Sequence, residues 1–162
     1  MSKVTTIVLY VEDEEFDRFL MQRAFTKAGL GDCLLVVNDG KAAIHYLSGV
    51  GEYADREKYP LPAVVLLDLN LPEIHGFEVL NWIRNQPVHS HLPVVVFSSS
   101  ELEDDQVRAR ILGANEFIKK PGSGLSFIDV VQKLNARWLG TEPLGQPSPV
   151  PAPEKPAATP AT

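Results

Sequence analysis

Five polar or charged side chains stand at or directly after the ends of short apolar runs in this sequence. Carboxylates follow the runs near residues 10 and 65, a serine follows the run near residue 95, and a lysine follows a shorter one. In a parallel sheet such positions meet, because the carboxyl ends of the strands lie along one edge. The five residues are Glu12, Asp13, Asp68, Ser98 and Lys120.

The three carboxylates of this set would repel one another at a shared edge. Two unit charges about 4 Å apart repel by roughly 4 kcal/mol at an effective dielectric of 20, so the cluster needs a cation. Oxygen ligands with room for water suit Mg²⁺ or Mn²⁺ better than zinc. Lys120 adds a positive charge, and the Ser98 hydroxyl can donate to an anion. A carboxylate nucleophile among these groups fits in-line phosphoryl transfer.

Periodicity assigns these residues to an alternation of strands and helices. Apolar runs predict five strands, at 4–11, 34–37, 63–67, 93–97 and 116–119. Helical spacing predicts five helices, at 14–28, 41–48, 76–84, 101–112 and 124–138. Such an alternation indicates an α/β fold: an open, doubly wound parallel sheet with right-handed crossovers.

Three helices carry more detailed expectations. Along the first helix, five residues are predicted to face the core: Phe16, Phe19, Leu20, Ala24 and Ala28. Ser100 and Glu103 have the spacing of a capping box at the start of the fourth helix. Ser123 is expected to cap the fifth.

The connection 49–62 is long, and its charged segment 55–58 is expected to be solvated, either as a loop or as the end of a longer second helix. The four histidines show no metal-binding spacing and are expected at the surface; they are His45, His75, His89 and His91. Neither feature indicates a second site.

Composition limits the classes of function. The 162 residues, 44% of them hydrophobic and 22% charged, fit one globular domain at 1–139 and a flexible Pro- and Ala-rich tail at 140–162. A net charge of −6 argues against nucleic acid as the main partner. The single cysteine, Cys33, fits a reducing compartment. Without a targeting segment or a membrane-length apolar run, the protein is expected to be cytoplasmic.

The chain resembles the receiver domains of two-component response regulators over about residues 4–139. Asp68 precedes Ser98 by 30 positions and Lys120 by 52, which are the separations usual in that family. The segments that carry the resemblance are 11–14, 67–72 with Gly76, 93–99, 113–114 and 117–121. It implies a flavodoxin-like sheet of five parallel strands in the order 2-1-3-4-5, flanked by five helices.

The resemblance further implies that Asp68 accepts a phosphoryl group from a histidine of a sensor kinase. Mg²⁺, or Mn²⁺ in its place, would be held by Glu12, Asp13, Asp68 and the backbone carbonyl of Asn70. The protein would then be a phosphorylation-controlled switch with slow hydrolysis of its own aspartyl phosphate, and not an enzyme acting on other substrates.

The remaining roles also come from the family. Lys120 would pair with Asp68 before phosphorylation and with the phosphoryl group afterwards. Ser98 would turn to that group, Phe117 would reorient with it, and the side chains of Asn70 and Ser100 would modulate hydrolysis. With no output domain expected after residue 139, the signal would leave by contact with a downstream protein.

Some residues depart from the commoner family pattern, and other segments indicate a subfamily. Glu12 stands where aspartate is commoner, Ser98 where threonine is, and Phe117 lacks a tyrosine hydroxyl. The long connection 49–62 and the ending at 137–139 are similar to stand-alone regulators of phytochrome-type histidine kinases. The family often forms homodimers through its fourth helix, fifth strand and fifth helix, so a homodimer is expected.

Two other functions use the same features. The first is a phosphatase or phosphotransferase with an aspartyl-phosphate intermediate, but Asn70 occupies the place of a common general acid. The second is a flavodoxin-like cofactor binder, which the four acids at 12–15 disfavour because they would repel a nucleotide phosphate.

Overall fold

The computed structural model describes residues 6–122 and 124–140. Five parallel strands form one sheet in the order β2-β1-β3-β4-β5, as predicted from the resemblance. The strands are β1 (Val8–Val11), β2 (Leu34–Val37), β3 (Val64–Leu67), β4 (Val94–Ser98) and β5 (Glu116–Lys119). Every residue of β1, β3 and β4 is buried, which explains their continuous apolar sequences, whereas the outer strands are only partly covered.

Five helices cover the two faces of the sheet. They are α1 (Glu15–Lys27), α2 (Gly40–Ser48), α3 (Gly76–Asn85), α4 (Glu103–Ile111) and α5 (Gly124–Leu134), the last continued by a π-helical turn at Asn135–Leu139. One core lies between the sheet and α1 with α5, and a second between the sheet and α2 with α3. No helix in the described part of the chain is long and apolar enough to cross a membrane. Ser123 and the tail beyond residue 140 lie outside the described residues.

The buried face of α1 differs from the prediction. Met21, Ala24 and Phe25 are buried, whereas Phe16 and Phe19 are 68% and 53% exposed. The packing of α1 against α5 and the sheet selects the stripe that contains Met21 and Phe25. The two phenylalanines therefore form a solvent-facing aromatic pair, and placing them in the core was wrong.

The segment 55–58 is not simply solvated. Arg56 donates hydrogen bonds to the carbonyls of Tyr46 at 2.8 Å and Leu47 at 2.9 Å, at the end of α2. The last carbonyls of a helix lack the usual amide partner one turn further along the chain. The amide of Gly49 donates to the carbonyl of Tyr46 at 3.1 Å, and the guanidinium supplies a further donor to both carbonyls. Gly49, with φ of 67°, then turns the chain away. The second helix accordingly ends at Ser48 and does not extend into the charged segment.

Two other local predictions were wrong. Leu102 is the N-cap of α4, without a side-chain cap, and the Ser100 hydroxyl instead donates to the Asp105 carboxylate at 2.5 Å. His89 is buried, with its Nε2 atom 2.9 Å from the carbonyl of Leu47, so this histidine joins the end of α3 to the end of α2. Buried polar groups require such partners, and the sequence does not show them.

Candidate functional site

The acidic residues predicted to meet do meet, because the backbone of each strand end is tied to its neighbour. The amide of Asp68 donates to the carbonyl of Val11 at 3.1 Å, and the amide of Glu12 donates to that of Val37 at 3.0 Å. Ligand oxygens of Glu12, Asp13 and Asp68 consequently lie within 4.8 Å of one another. The three carboxylates form one cluster at the carboxyl edge of the sheet.

Lys120 lies against this cluster. Its amide donates to the carbonyl of Ser98 at 2.8 Å, which fixes the end of β5 beside the end of β4. Its ammonium Nζ lies 2.6 Å from Glu12 Oε1, 2.8 Å from Asp17 Oδ2 and 3.3 Å from Asp68 Oδ2. The lysine side chain is 9% exposed, so these attractions act with little screening by water.

The cluster fits a divalent cation. The Asp13 Oδ1 atom is buried and has no hydrogen-bond partner among the residues described, which is costly unless another group fills the space beside it. Glu12 and Asp68 are both almost fully buried, so their charges also need compensation beyond that of Lys120. The donor set is all carboxylate oxygen, the kind that Mg²⁺ and Mn²⁺ take.

Tyr10 forms a second layer behind the cluster. Its buried hydroxyl donates to Glu12 Oε1 at 2.9 Å, the same oxygen that Lys120 contacts.

The surroundings of Glu12 and Lys120 raise the pKa of both groups. Burial is the largest cause for Glu12, followed by the hydrogen bond with Asp68 and the charge of Asp68; together they raise its pKa well above the ordinary value, despite the opposing effect of Lys120. Burial lowers the pKa of Lys120, but hydrogen bonds with Asp17 and Glu12 outweigh it, and the net pKa is raised. The lysine is thus charged at neutral pH.

Gly76 holds the backbone of the third strand end in place. Its amide donates to the carbonyl of Leu69 at 2.9 Å. A Cβ atom at residue 76 would lie only 2.3 Å from the carbonyl oxygen of Asp68 and 2.6 Å from Leu69 Cα. The start of α3 can approach the acidic cluster this closely only because residue 76 has no side chain.

Comparison with known proteins agrees with this geometry. Residues 8–132 match the family model of the response regulator receiver domain. The chain belongs to this family. It is 36% identical over 135 residues to the response regulator Rcp1 of Synechocystis sp., covering 83% of this chain and 90% of that protein. A receiver domain of this kind acts with a histidine kinase.

Two solved receiver structures are also similar. The phosphorylated cyanobacterial phytochrome response regulator RcpA is 34% identical to this chain. It superposes with a TM-score of 0.77, over 88% of this chain and 100% of that one. The Mn²⁺-bound form of Rcp1 shares 33% identity and a TM-score of 0.72, over 90% of this chain and 99% of that chain. The receiver fold of this chain is therefore that of both relatives.

The other predicted site residues lie around the cluster of this receiver domain. Ser98 is fully buried at the end of β4, and its hydroxyl oxygen accepts a hydrogen bond from the amide of Ser100 at 3.1 Å. Phe117, in β5, is partly buried against Phe77 and Ala109. Asn70 is exposed, two positions after Asp68. The metal-binding carbonyl of Asn70 and the movements of Ser98 and Phe117 stay predictions.

Two residues of the site, Asp17 and Tyr10, were not singled out from the sequence, although a signal for each was present. Asp17 shares the helical stripe of Met21, Ala24 and Ala28, at spacings of four, seven and eleven residues, so the correct choice of buried face points Asp17 inward. Tyr10 lies two residues before Glu12 on one face of a buried strand, where its hydroxyl must find a partner.

The raised pKa of Glu12 makes a pH dependence testable. Below its raised pKa the carboxyl group of Glu12 keeps its proton, and a cation must displace that proton to bind. We therefore expect the apparent Mn²⁺ affinity to increase as the pH is raised from about 5 to about 8, after ordinary carboxyl groups have ionised. Titration followed by the electron paramagnetic resonance of free Mn²⁺ measures this affinity. An affinity that stays constant above about pH 5.5 would contradict the raised pKa of Glu12.

Proposed function

We propose that this receiver domain is a phosphorylation-controlled switch in which Asp68 accepts a phosphoryl group from the histidine of a sensor kinase. The observation that carries the proposal is the position of Asp68, within the carboxylate cluster and 3.3 Å from the ammonium of Lys120. Residues 1–139 act as the receiver domain, and 140–162 as a separate tail. The switch changes a protein-binding surface and acts on no other substrate.

In this proposal Mg²⁺ is held by the carboxylates of Glu12, Asp13 and Asp68 with the carbonyl of Asn70, and Mn²⁺ can replace it. When bound, the ion supplies positive charge that offsets the charge on the transferred group. Asp68 provides the attacking oxygen. Lys120, held nearby with its charge, stabilises the equatorial oxygens of the phosphoryl group.

Ser98 and Phe117 carry the signal away from Asp68. A phosphoryl group offers three acceptor oxygens, and the hydroxyl of Ser98 can donate to one of them after a rotation about its Cα–Cβ bond. Phe117 lines a cleft of about 390 Å³ between α4 and β5, together with Ala109 and Arg110. The cleft gives the ring space to change position when the loop after β4 moves.

The aspartyl phosphate is expected to hydrolyse slowly and without a protein partner. Asn70 and Ser100 are the side chains placed to adjust the rate, one after each central strand of the site. The hydroxyl of Ser100 donates to Asp105 on α4, so it links the loop beside the phosphoryl position to a helix of the proposed output face.

The kinase is proposed to dock on the exposed aromatic pair of α1. Phe16 and Phe19 are 68% and 53% exposed on the helix that begins beside the acidic cluster. Exposed aromatic residues next to a reactive group are suited to be covered by the protein that brings the phosphoryl donor. The similarity to RcpA and Rcp1 makes a phytochrome-type histidine kinase the proposed partner.

Removal of the two rings should separate transfer from a kinase from transfer from a small molecule. For Phe16→Ala with Phe19→Ala, we expect the rate of transfer from a phosphorylated kinase to fall by about tenfold or more, since buried aromatic contacts dominate docking energies. Phosphorylation by acetyl phosphate in the presence of Mg²⁺ should stay within about twofold of the wild type, because the rings do not touch the donor. Radiolabelled kinases, including a phytochrome-type one, serve as donors.

A matched control removes apolar surface elsewhere. Val88 is 81% exposed in the turn after α3, at the opposite edge of the sheet, and Val88→Ala should leave both rates unchanged. Docking on α1 is refuted if the aromatic variant loses both rates together or neither. Acceptance of phosphate from acetyl phosphate but from no histidine kinase would refute the phosphorelay role.

We also propose a homodimer through α4, β5 and α5. Val107 and Ile111, one helical turn apart on α4, are 47% and 77% exposed. Lys133 of α5 and Arg137 of the π-helical turn after it contact Glu116 of β5, at 2.7 and 2.8 Å, so charges on this face already link the last helical segment to β5. Ile111→Asp should weaken the dimer about tenfold in sedimentation velocity, whereas Leu61→Asp should not. A wild type that stays monomeric with and without phosphate would exclude the dimer.

A further inference from the structure

Lys120 contacts carboxylates of the cation cluster and also one carboxylate outside it. Glu12 and Asp68, at 2.6 and 3.3 Å from its Nζ atom, belong to the cluster that fits a divalent cation. Asp17, at 2.8 Å, lies outside that cluster, on the first turn of α1. Its side chain is 25% exposed, against 0% for Glu12 and 4% for Asp68, so Asp17 holds the ammonium group from the solvent side.

Glu12 and Asp68 have limited capacity to serve both a cation and an ammonium group. One oxygen of Glu12 already accepts from the hydroxyl of Tyr10 as well as from Lys120, and the other accepts from the amide of Glu14 at 3.3 Å. A lysine without Asp17 would have only the carboxylates of the cation site as partners. Two positive charges would then compete for the same oxygens.

We infer that Asp17 is a positioning residue for Lys120, holding its ammonium group at the mouth of the site so that Glu12 and Asp68 remain available to the cation. This inference rests on the proposed function of the cluster and adds a residue to it. Asp17 itself is not one of the three carboxylates that form the cation cluster. Its effect should therefore exist only when Lys120 is present.

Affinity for Mn²⁺ alone provides the test, measured at fixed pH and ionic strength from the resonance of the free ion. Asp17→Ala should weaken Mn²⁺ binding by about tenfold, within the range of coupling found between groups in direct contact. In a Lys120→Met background the same substitution should weaken binding by less than about threefold, because only a screened charge is lost. Asp17→Asn, which keeps an acceptor oxygen, should lie between wild type and Asp17→Ala.

Glu15→Gln is the matched control: it removes a first-turn acid of α1 that is exposed and is not among the carboxylates that contact Lys120. It should change Mn²⁺ affinity by less than about twofold. Equal losses for Asp17→Ala with and without Lys120, or no loss in either background, overturn the inference. Thermal melts establish whether each variant folds. If Asp17→Ala does not fold, Asp17→Asn, with and without Lys120, tests the role of Asp17 in its place.

The inference and the proposed function can fail separately. Mn²⁺ binding requires no phosphoryl transfer, so a protein that never becomes phosphorylated on Asp68 can still show the coupling between Asp17 and Lys120. Conversely, normal phosphorylation of Asp68 without that coupling removes the role of Asp17 and leaves the switch intact.

Discussion

Asp68→Asn is expected to abolish phosphorylation, both by a histidine kinase and by acetyl phosphate. The substitution replaces the attacking carboxylate oxygen with an amide, which is not a nucleophile toward phosphorus under these conditions. The shape of the side chain is kept, and the amide oxygen can still accept from Lys120. Incorporation of one phosphoryl group per chain, followed by intact-protein mass spectrometry in the presence of Mg²⁺, measures the effect.

The variant should fold, because it removes one buried negative charge from a cluster that already contains Glu12 and Asp13. A control with the same chemical change is Asp32→Asn, at an exposed aspartate in the turn after α1, which should label as the wild type does. Chelation of divalent cations should slow labelling of the wild type. Labelling of Asp68→Asn at the wild-type rate would show that another residue is the acceptor.

Gly76→Ala is expected to have the second largest effect, although residue 76 takes no part in the chemistry. The added Cβ would lie 2.3 Å from the carbonyl oxygen of Asp68, a distance at which the backbone must move. We expect the free energy of unfolding to fall by about 2–3 kcal/mol, as for other overpacked sites. The rate of phosphorylation should fall by about a hundredfold, since a displacement of about 1 Å can cost that much.

The position of the methyl group, and not the loss of glycine, is the proposed cause. Gly31→Ala adds the same atom where the nearest neighbour, Thr26 Oγ1, is 3.4 Å away, so it should change neither quantity by more than a small fraction. Urea denaturation and acetyl phosphate labelling measure the two effects. If Gly76→Ala were as stable and as active as the wild type, the tight approach of α3 to Asp68 would be wrong.

The sheet and the edge where the site lies could be predicted from the sequence because the signals are local. The three central strands are continuous apolar runs, and such runs must be buried on both faces. Each ends in a polar residue, and parallel pairing brings those ends together. The assembly of Glu12, Asp13 and Asp68 into one cluster follows from these two facts.

Features that depend on the choice between two faces, or on distant partners, could not be predicted in the same way. Hydrophobicity favoured Phe16 and Phe19 as core residues of α1, but packing against α5 buries the stripe of Met21 and Phe25. Asp17 lies on the same stripe as Met21, so the wrong choice of buried face also concealed its place in the site. The carbonyls that Arg56 and His89 satisfy belong to α2, and nothing in the local sequence marks them as partners.

The most direct test of the central claim identifies the residue that carries the phosphoryl group. The protein is labelled with acetyl phosphate and Mg²⁺, the acyl phosphate is reduced with borohydride, and the peptides are sequenced by tandem mass spectrometry. We expect the product of reduction, homoserine, at position 68 and at no other aspartate. Homoserine at position 13 or 17, or a phosphoryl group that resists borohydride, would contradict the assignment of Asp68 as the acceptor.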